Sequence, residues 1–157
     1  MATRIMQAQP AEAWIVAEMV GELLHEIMDA INSRVFRFDP AETEARARAW
    51  LTDRTYTVLL AHEGDAAAGF VALYQGYALY AEGTFGTISE LYVRPVYRSQ
   101  GVGARLLVEA KRYARSRKWT RLEVTTPPLP EFDRTLAFYE RNGFSISGGR
   151  KMKVDLT

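Results

Sequence analysis

The strongest constraint on the fold is a change of hydrophobic period in the middle of the chain. Thr84–Val93 is a β-rich run that ends at Arg94-Pro95, because proline cannot donate a hydrogen bond to a strand ladder. From Gln100 to Ser116 the apolar residues recur at the spacing of a helix, and Leu122–Val124 then reads as a short strand. A strand, a helix and a strand in this order predict a right-handed crossover that joins two parallel strands.

The segments on either side of this crossover predict the rest of a mixed sheet. A weak first strand and two helices come first, followed by strands that pair as an antiparallel meander. After the crossover we expect a short helix and two terminal strands that pair across Gly148-Gly149. The predicted order β-α-α-β-β-β-α-β-α-β-β describes one α/β domain, residues 3–157, with helices on a twisted mixed sheet. The expected elements outside the crossover are residues 3–8, 11–31, 39–51, 55–61, 69–79 and 132–141.

Composition excludes several classes of chemistry. The chain has no cysteine and two histidines, which rules out a thiolate nucleophile, a disulfide and a cysteine-bound zinc, and we expect no metal. The 20 Lys and Arg residues against 19 Asp and Glu give a net charge of +1, which is atypical of a nucleic-acid-binding protein. Without a signal peptide or an apolar run of membrane-spanning length, we expect a cytoplasmic protein with no membrane partner.

The loop between the central strand and its helix is a candidate phosphate site. Gly101 and Gly103 let the backbone approach a ligand closely, the helix N-terminus adds partial positive charge, and Arg98 adds a formal one. The dinucleotide-binding fingerprint is excluded because Leu106 stands at its third glycine, and no Gly-Lys-Ser/Thr sequence follows. A glycine-rich turn without a ligand is the alternative.

Two linked motifs carry a family resemblance. One is Arg98-Ser99-Gln100-Gly101-Val102-Gly103, which matches the pattern Arg/Gln-x-x-Gly-x-Gly/Ala, and the other is Leu136–Phe144. With these motifs the chain resembles the GNAT superfamily of acetyl-CoA-dependent N-acetyltransferases over essentially its whole length. The strand Ile88–Val93 is also similar to the corresponding strand of the polyamine and diamine acetyltransferases.

The resemblance implies acetyl-CoA as cosubstrate and a set of residues that bind it. The backbone of Leu91, Tyr92 and Val93 would pair with the pantetheine arm, much as an added strand does. The implied reaction is direct transfer of the acetyl group, through a tetrahedral intermediate, to a primary amine of a small molecule or peptide. Family habit also makes a homodimer an expectation. The pyrophosphate would be held by Arg98 and by the backbone of Ser99, Gln100, Gly101, Val102, Gly103 and Ala104.

Tyr139 matches the tyrosine that the family usually places near the thioester sulfur. A tyrosine has an ordinary pKa of about 10 and a thiol one of about 8.5, so full proton transfer to the leaving thiolate is uphill by roughly 2 kcal/mol. The role we expect is therefore a hydrogen bond that stabilises the thiolate. The alternative is an aromatic residue that only packs against its own segment.

The general base departs from the family pattern. Many members carry an acid or a histidine at the positions of Thr87 or Ser89, and neither residue is a useful base here. Glu90 is the only acid on this strand and is the tentative base, although strand alternation predicts that it points away from the face of Thr87 and Ser89. A β-bulge could re-aim it, and a structural or surface glutamate is the alternative. Phe132 stands where the family often has asparagine, so one cofactor contact is expected to be lost or replaced.

The resemblance also implies that the acceptor binds between the first two helices and the far end of the central strand. Acids and aromatic rings there would suit a cationic amine through charge pairing and cation–π contact, and an ordinary solvated face is the alternative. Two other functions stay open: a non-catalytic acyl-CoA sensor, and a transferase that uses a longer acyl donor such as succinyl-CoA. The candidate wall residues are His25, Glu26, Asp29, Phe36, Phe38, Tyr74, Tyr77 and Tyr80.

Overall fold

The computed structural model describes residues 3–157, which form a five-stranded sheet with helices on both faces. The strands are β1 (Arg4–Gln7), β2 (Thr57–Glu63), β3 (Ala66–Ala78), β4 (Gly83–Val93) and β5 (Leu122–Val124). The helices are α1 (Ala13–Ile31), α2 (Pro40–Asp53), α3 (Val102–Ser116) and α4 (Asp133–Arg141). The strand order is β1-β2-β3-β4-β5, antiparallel from β1 to β4 and parallel between β4 and β5. The predicted parallel pair joined through α3 is thus confirmed.

The helices begin and end at residues suited to those positions. The Asp39 carboxylate accepts a hydrogen bond from the backbone N–H of Glu42 at 2.8 Å, which caps α2, and Pro40 is the first helical residue. Asn32 and Arg54 follow α1 and α2 in the left-handed conformation that commonly ends a helix. Within the described residues, none of the helices combines the length and the apolar character that crossing a bilayer requires.

The sheet buries a separate apolar cluster on each face. Met19 of α1 packs with Phe70 and the other buried residues of one face, and α2 contributes to the same cluster. Leu106 of α3 packs with Val71 and the other buried residues of the opposite face. Phe70 and Val71 are neighbours on β3 that point to opposite sides, as the strand period of two requires. The central strands are therefore fixed between α1 and α3.

A β-bulge at Ser89 corrects the predicted direction of Glu90. Glu90 is opposite Ala72 and Ile88 is opposite Leu73, so Ser89 is one extra residue on β4. A bulge of this kind shifts the alternation of the side chains that follow it. The expectation that Glu90 points away from Ser89 is therefore wrong, because regular alternation does not hold across the bulge.

The prediction of two terminal strands is also wrong. Residues 142–157 contain no strand, although their apolar side chains alternate with polar ones. From Ile146 onward, the apolar side chains of this segment are largely uncovered by the rest of the described chain. Each of them is at least 76% exposed: Ile146, Met152, Val154 and Leu156. A two-stranded hairpin is marginally stable in water by itself, and alternation alone does not supply the packing that it needs.

Candidate active site

The predicted cofactor residues converge on one cleft of about 960 Å³ beside β4. Strand β4 pairs with β5 over Gly86–Ile88, and within residues 3–157 its second edge has no strand partner from Ser89 to Val93. An open edge of this kind can hydrogen-bond an extended ligand. Of the predicted residues, Gln100 alone does not line the cleft. Those that do are Leu91, Tyr92, Val93, Arg98, Ser99, Gly101, Val102, Gly103 and Ala104, together with Glu90 and Tyr139.

The loop before α3 presents a row of free backbone N–H groups. Within residues 3–157, the N–H groups from Ser99 to Ala104 donate to no acceptor, and the N–H of Arg105 is the first to bond, to the carbonyl of Gly101 at 3.0 Å. Ser99 and Gly101 have φ values of 62° and 83°, and left-handed residues in such a turn direct neighbouring N–H groups into one concavity. Together with the positive end of the α3 macrodipole, this loop is suited to bind a phosphate group.

Arg98 lies at the junction between this loop and α1. Its Nε donates to the backbone carbonyl of Val93 at 2.8 Å, and its Nη2 donates to Glu26 Oε1 at 2.7 Å. The guanidinium also lies 5.6 Å from the ring centre of Tyr92, within range of a cation–π contact. Arg98 thus has partners of its own, and an anion in the loop would share this cation with Glu26.

Tyr139 is buried at the floor of the cleft. It is 5% exposed, and Phe138 and Phe144 meet its ring edge-on at centroid distances of 5.5 and 5.4 Å. Burial raises the pKa of its phenol well above the ordinary value of about 10. The phenol is therefore a weaker acid than an ordinary tyrosine, so that it can donate a hydrogen bond but gives up its proton less readily.

Glu90 lies in the cleft as part of a hydrogen-bonded cluster. Its Oε1 accepts from the hydroxyl of Ser89 at 2.9 Å and from the hydroxyl of Tyr56. The hydroxyls of Tyr56 and Ser89 also contact each other. Tyr56 was not predicted as a site residue, since no sequence pattern indicates a contact between a residue just before β2 and one on β4, 34 positions further along the chain.

The predicted acceptor wall is only partly assembled. Glu26, Phe36 and Tyr74 line the cleft, as do Thr87 and Ser89. His25 and Phe38 belong instead to a separate hollow between α1 and α2, and Asp29 pairs with Arg34 in solvent. Tyr77 and Tyr80 lie at the exposed end of the β3–β4 hairpin.

The cleft also contains basic residues that sequence reasoning did not single out. Arg134, Arg141 and Lys151 line it, as does Phe132 at the position where the family often has asparagine. Arg134 and Arg141 belong to α4, the same helix as Tyr139, but the family motif on this helix indicates a role only for the tyrosine. Among residues 3–157, no group of three or more metal-ligating side chains is placed to hold a metal ion.

Comparison of the sequence with known proteins gives a family match. Residues 22–144 match the acetyltransferase (GNAT) family. The chain is also 31% identical to the uncharacterised N-acetyltransferase YhfO of Bacillus subtilis (strain 168) over 106 residues, which cover 68% of this chain and 70% of YhfO.

Solved structures share the fold over nearly the whole chain. An integron cassette protein from the mobile metagenome of Cole Harbour Salt Marsh aligns with a TM-score of 0.81 at 21% identity, over 98% of this chain and 90% of its own. A predicted acetyltransferase of Clostridium acetobutylicum, in a crystal structure with acetyl-CoA, aligns with a TM-score of 0.79 at 14% identity, over 99% of this chain and 97% of its own. An aminoglycoside acetyltransferase from an uncultured soil metagenomic sample, in complex with sisomicin, aligns with a TM-score of 0.78 at 13% identity, over 99% of this chain and 97% of its own.

Proposed function

The chain belongs to the acetyltransferase (GNAT) family, and we propose that it transfers the acetyl group of acetyl-CoA to a primary amine of a small molecule or peptide. The observation that carries this proposal is the open edge of β4 beside the free N–H groups of Ser99–Ala104, in one cleft. An extended arm with an anionic group at one end is the kind of ligand that such a site fits. The proposed catalytic domain spans residues 3–157.

Backbone groups do most of the proposed cosubstrate binding. The free edge of β4 at Leu91–Val93 would hold the amides of the pantetheine arm. The N–H groups of Ser99–Ala104 would receive the pyrophosphate, with Arg98 drawn toward it from Glu26. Because backbone N–H groups would bind the pyrophosphate, the conformation of the loop matters more than any one of its side chains. Glycine suits position 101, where φ is 83°.

The acceptor amine must lose a proton before it can react. An alkyl amine has a pKa of about 10.4, so about one molecule in 2,500 is neutral at pH 7, a deficit of roughly 4.6 kcal/mol. Glu90 is the proposed base, because it is the carboxylate of β4 that the bulge turns into the cleft. Glu26, Phe36 and Tyr74 in the same cleft favour a cationic acceptor, through charge and through aromatic faces.

Acetyl-CoA supplies an acetyl thioester whose carbonyl carbon the neutral nitrogen attacks. Tyr139 would donate a hydrogen bond to the sulfur as negative charge develops there, and the raised pKa of its phenol makes full proton transfer to the thiolate less favourable. The chain contains no cysteine to form an acyl-enzyme, so the acetyl group would pass directly to the amine.

The test is a thiol-release assay with acetyl-CoA and a panel of amines, with the product checked for an added acetyl group by mass spectrometry. The panel contains spermidine, the aminoglycoside sisomicin and a peptide with a free N-terminal amine, and succinyl-CoA serves as the alternative donor. We expect acetyl transfer to at least one amine and a slower reaction with succinyl-CoA. Tight binding of acetyl-CoA with no transfer to any amine would favour the sensor function instead.

A further inference from the structure

We propose that Tyr56 is a positioning residue for acetyl transfer, which fixes the Glu90 carboxylate so that one oxygen is held and the other faces the acceptor. This inference rests on the proposed function and deepens it. Tyr56 lies outside the lining of the cleft, whereas Ser89, Glu90 and Tyr74 belong to it. Its effect on the reaction therefore passes through Glu90.

The two oxygens of Glu90 have different partners. Oε1 accepts hydrogen bonds from the hydroxyls of both Tyr56 and Ser89. Within residues 3–157, no hydrogen-bond donor reaches Oε2. Two converging donors on one oxygen fix the rotation of a carboxylate, whose terminal torsion is otherwise broad. Oε2 is then left as the acceptor for a proton of the substrate amine.

The ring of Tyr56 is itself held in place. It lies 5.2 Å from Trp50 and stacks on Tyr74 at 6.5 Å with an interplanar angle of 8°, both between ring centroids. Burial and the negative charge of Glu90 raise the pKa of Tyr56 well above the ordinary 10, which makes loss of the hydroxyl proton less favourable than in a free tyrosine. A rigid ring with a permanent donor is suited to positioning a carboxylate.

The bulge and Tyr56 act together on the position of the Glu90 carboxylate. The extra residue at Ser89 brings its hydroxyl and the Glu90 carboxylate to the same point of β4, where both meet Tyr56. Without Tyr56, one donor would remain on Oε1, and the carboxylate could turn about its terminal torsion. A base displaced by about 1 Å can cost on the order of 100-fold in rate.

The experiment is a double-mutant cycle of Tyr56→Phe and Glu90→Gln, assayed with the amine from the panel that the wild type acetylates fastest. Tyr56→Phe keeps the ring and its stacking, and we expect kcat to fall about 10- to 100-fold with an unchanged KM for acetyl-CoA. In the Glu90→Gln background the same substitution should have little further effect, because its target is gone. Ser89→Ala, which removes the second donor, should likewise lower kcat and be non-additive with Tyr56→Phe.

The matched control is Tyr113→Phe. It removes another part-buried tyrosine hydroxyl, which bonds to Thr57 at 2.9 Å and lies outside the cleft lining. This variant should keep the wild-type kcat, and melting temperatures of all variants identify any loss of fold.

An unchanged kcat in Tyr56→Phe, or an equal loss in the wild-type and Glu90→Gln backgrounds, would overturn the positioning role while leaving the transferase itself standing. A wild type that binds acetyl-CoA but acetylates no amine would instead refute the proposed function, and the role of Tyr56 with it.

Discussion

Tyr139 and Glu90 lie in the same cleft, and their surroundings suit them to opposite roles in proton transfer. Tyr139 is a phenol whose pKa burial raises, so it can stabilise a thiolate only by donating a hydrogen bond. Glu90 is a carboxylate with one oxygen already engaged by two hydroxyls. The proposed division of work, Glu90 accepting from the amine and Tyr139 donating to the sulfur, follows from these two environments.

Replacement of Tyr139 by phenylalanine tests whether its hydroxyl stabilises the leaving thiolate. The Tyr139→Phe variant keeps the packed ring between Phe138 and Phe144 and removes only the hydroxyl. We expect kcat to fall by on the order of 100-fold while the dissociation constant for acetyl-CoA, measured by calorimetry, stays within about twofold. An equal loss of acetyl-CoA affinity would mean that Tyr139 contributes to binding rather than to the chemical step.

Contacts between individual side chains of the cleft were the features that the sequence predicted least well. The sequence indicated that Tyr139 and the loop at Arg98–Ala104 belong together, because both lie in motifs that are contiguous along the chain, and it indicated Glu90 as the only acid on the central strand. The structure places Glu90, Tyr139 and this loop, apart from Gln100, in one cleft, and their roles stay predictions. The bulge at Ser89 could not be predicted, because it depends on the register between two strands. Tyr56 was missed for the same kind of reason, since its contact with Glu90 exists only once β2 and β4 are in one sheet.

Among the elements, the end of β4 is tied to α1 by an ionic cluster. Arg94 Nη2 lies 2.9 Å from both Glu18 and Glu22, and its Nη1 donates to the carbonyl of Ala67 at 3.2 Å. The glutamates belong to α1, and Arg94 directly follows β4. The cluster therefore sets the position of the proposed acceptor wall relative to the edge that would bind the cosubstrate.

Removal of the Arg94 charge should loosen that connection. We expect Arg94→Met to lower the free energy of unfolding by about 1–3 kcal/mol, because two carboxylates and a carbonyl lose a partly buried partner. Arg34→Met is the control: its pair with Asp29 is about 70% exposed on both sides, so its effect should stay within about 0.5 kcal/mol. Urea denaturation measures both values, and equal effects would show that the Arg94 cluster adds nothing beyond a surface pair.

The helices and the five strands of the sheet were predicted from local patterns, whereas the two terminal strands, which have no neighbouring strand among residues 3–157, were predicted wrongly. The crossover through α3 follows from the change of hydrophobic period and from Pro95. The terminal strands were expected from alternation near Gly148-Gly149, but strands need a neighbouring strand and a covered face. A sequence pattern shows that a segment could be a strand, whereas pairing depends on the rest of the molecule.

In the whole molecule, several buried tyrosines share one electrostatic property. Burial and the charge of Glu22 raise the pKa of Tyr92 to about 12, and the pKa values of Tyr56 and Tyr139 are also raised above 10. Between pH 10 and 12 the unfolded chain therefore binds fewer protons at these residues than the folded one. By linkage, this contribution to stability is complete below pH 10 and is lost as the pH rises through the folded-state values.

The free energy of unfolding should accordingly fall with increasing pH above 10. Urea denaturation at pH 8, 10 and 11 measures the slope, and Tyr92→Phe should make it shallower. Tyr77→Phe is the control, since Tyr77 is 77% exposed and should leave the slope unchanged. Stability that is flat or rising over this range would contradict the assignment of these tyrosines as proton-holding groups in the folded state.

Whether the cleft beside β4 binds acetyl-CoA is tested by a thermal-shift measurement with acetyl-CoA, CoA, ATP and NAD in parallel. A ligand at 100 times its dissociation constant stabilises a folded protein by about 2.7 kcal/mol, which corresponds to a rise of several degrees in Tm for a domain of this size. We predict such a rise with acetyl-CoA and CoA and a smaller rise or none with ATP and NAD. No rise with either CoA compound on a folded sample, or an equal rise with all four nucleotides, would contradict the proposed binding.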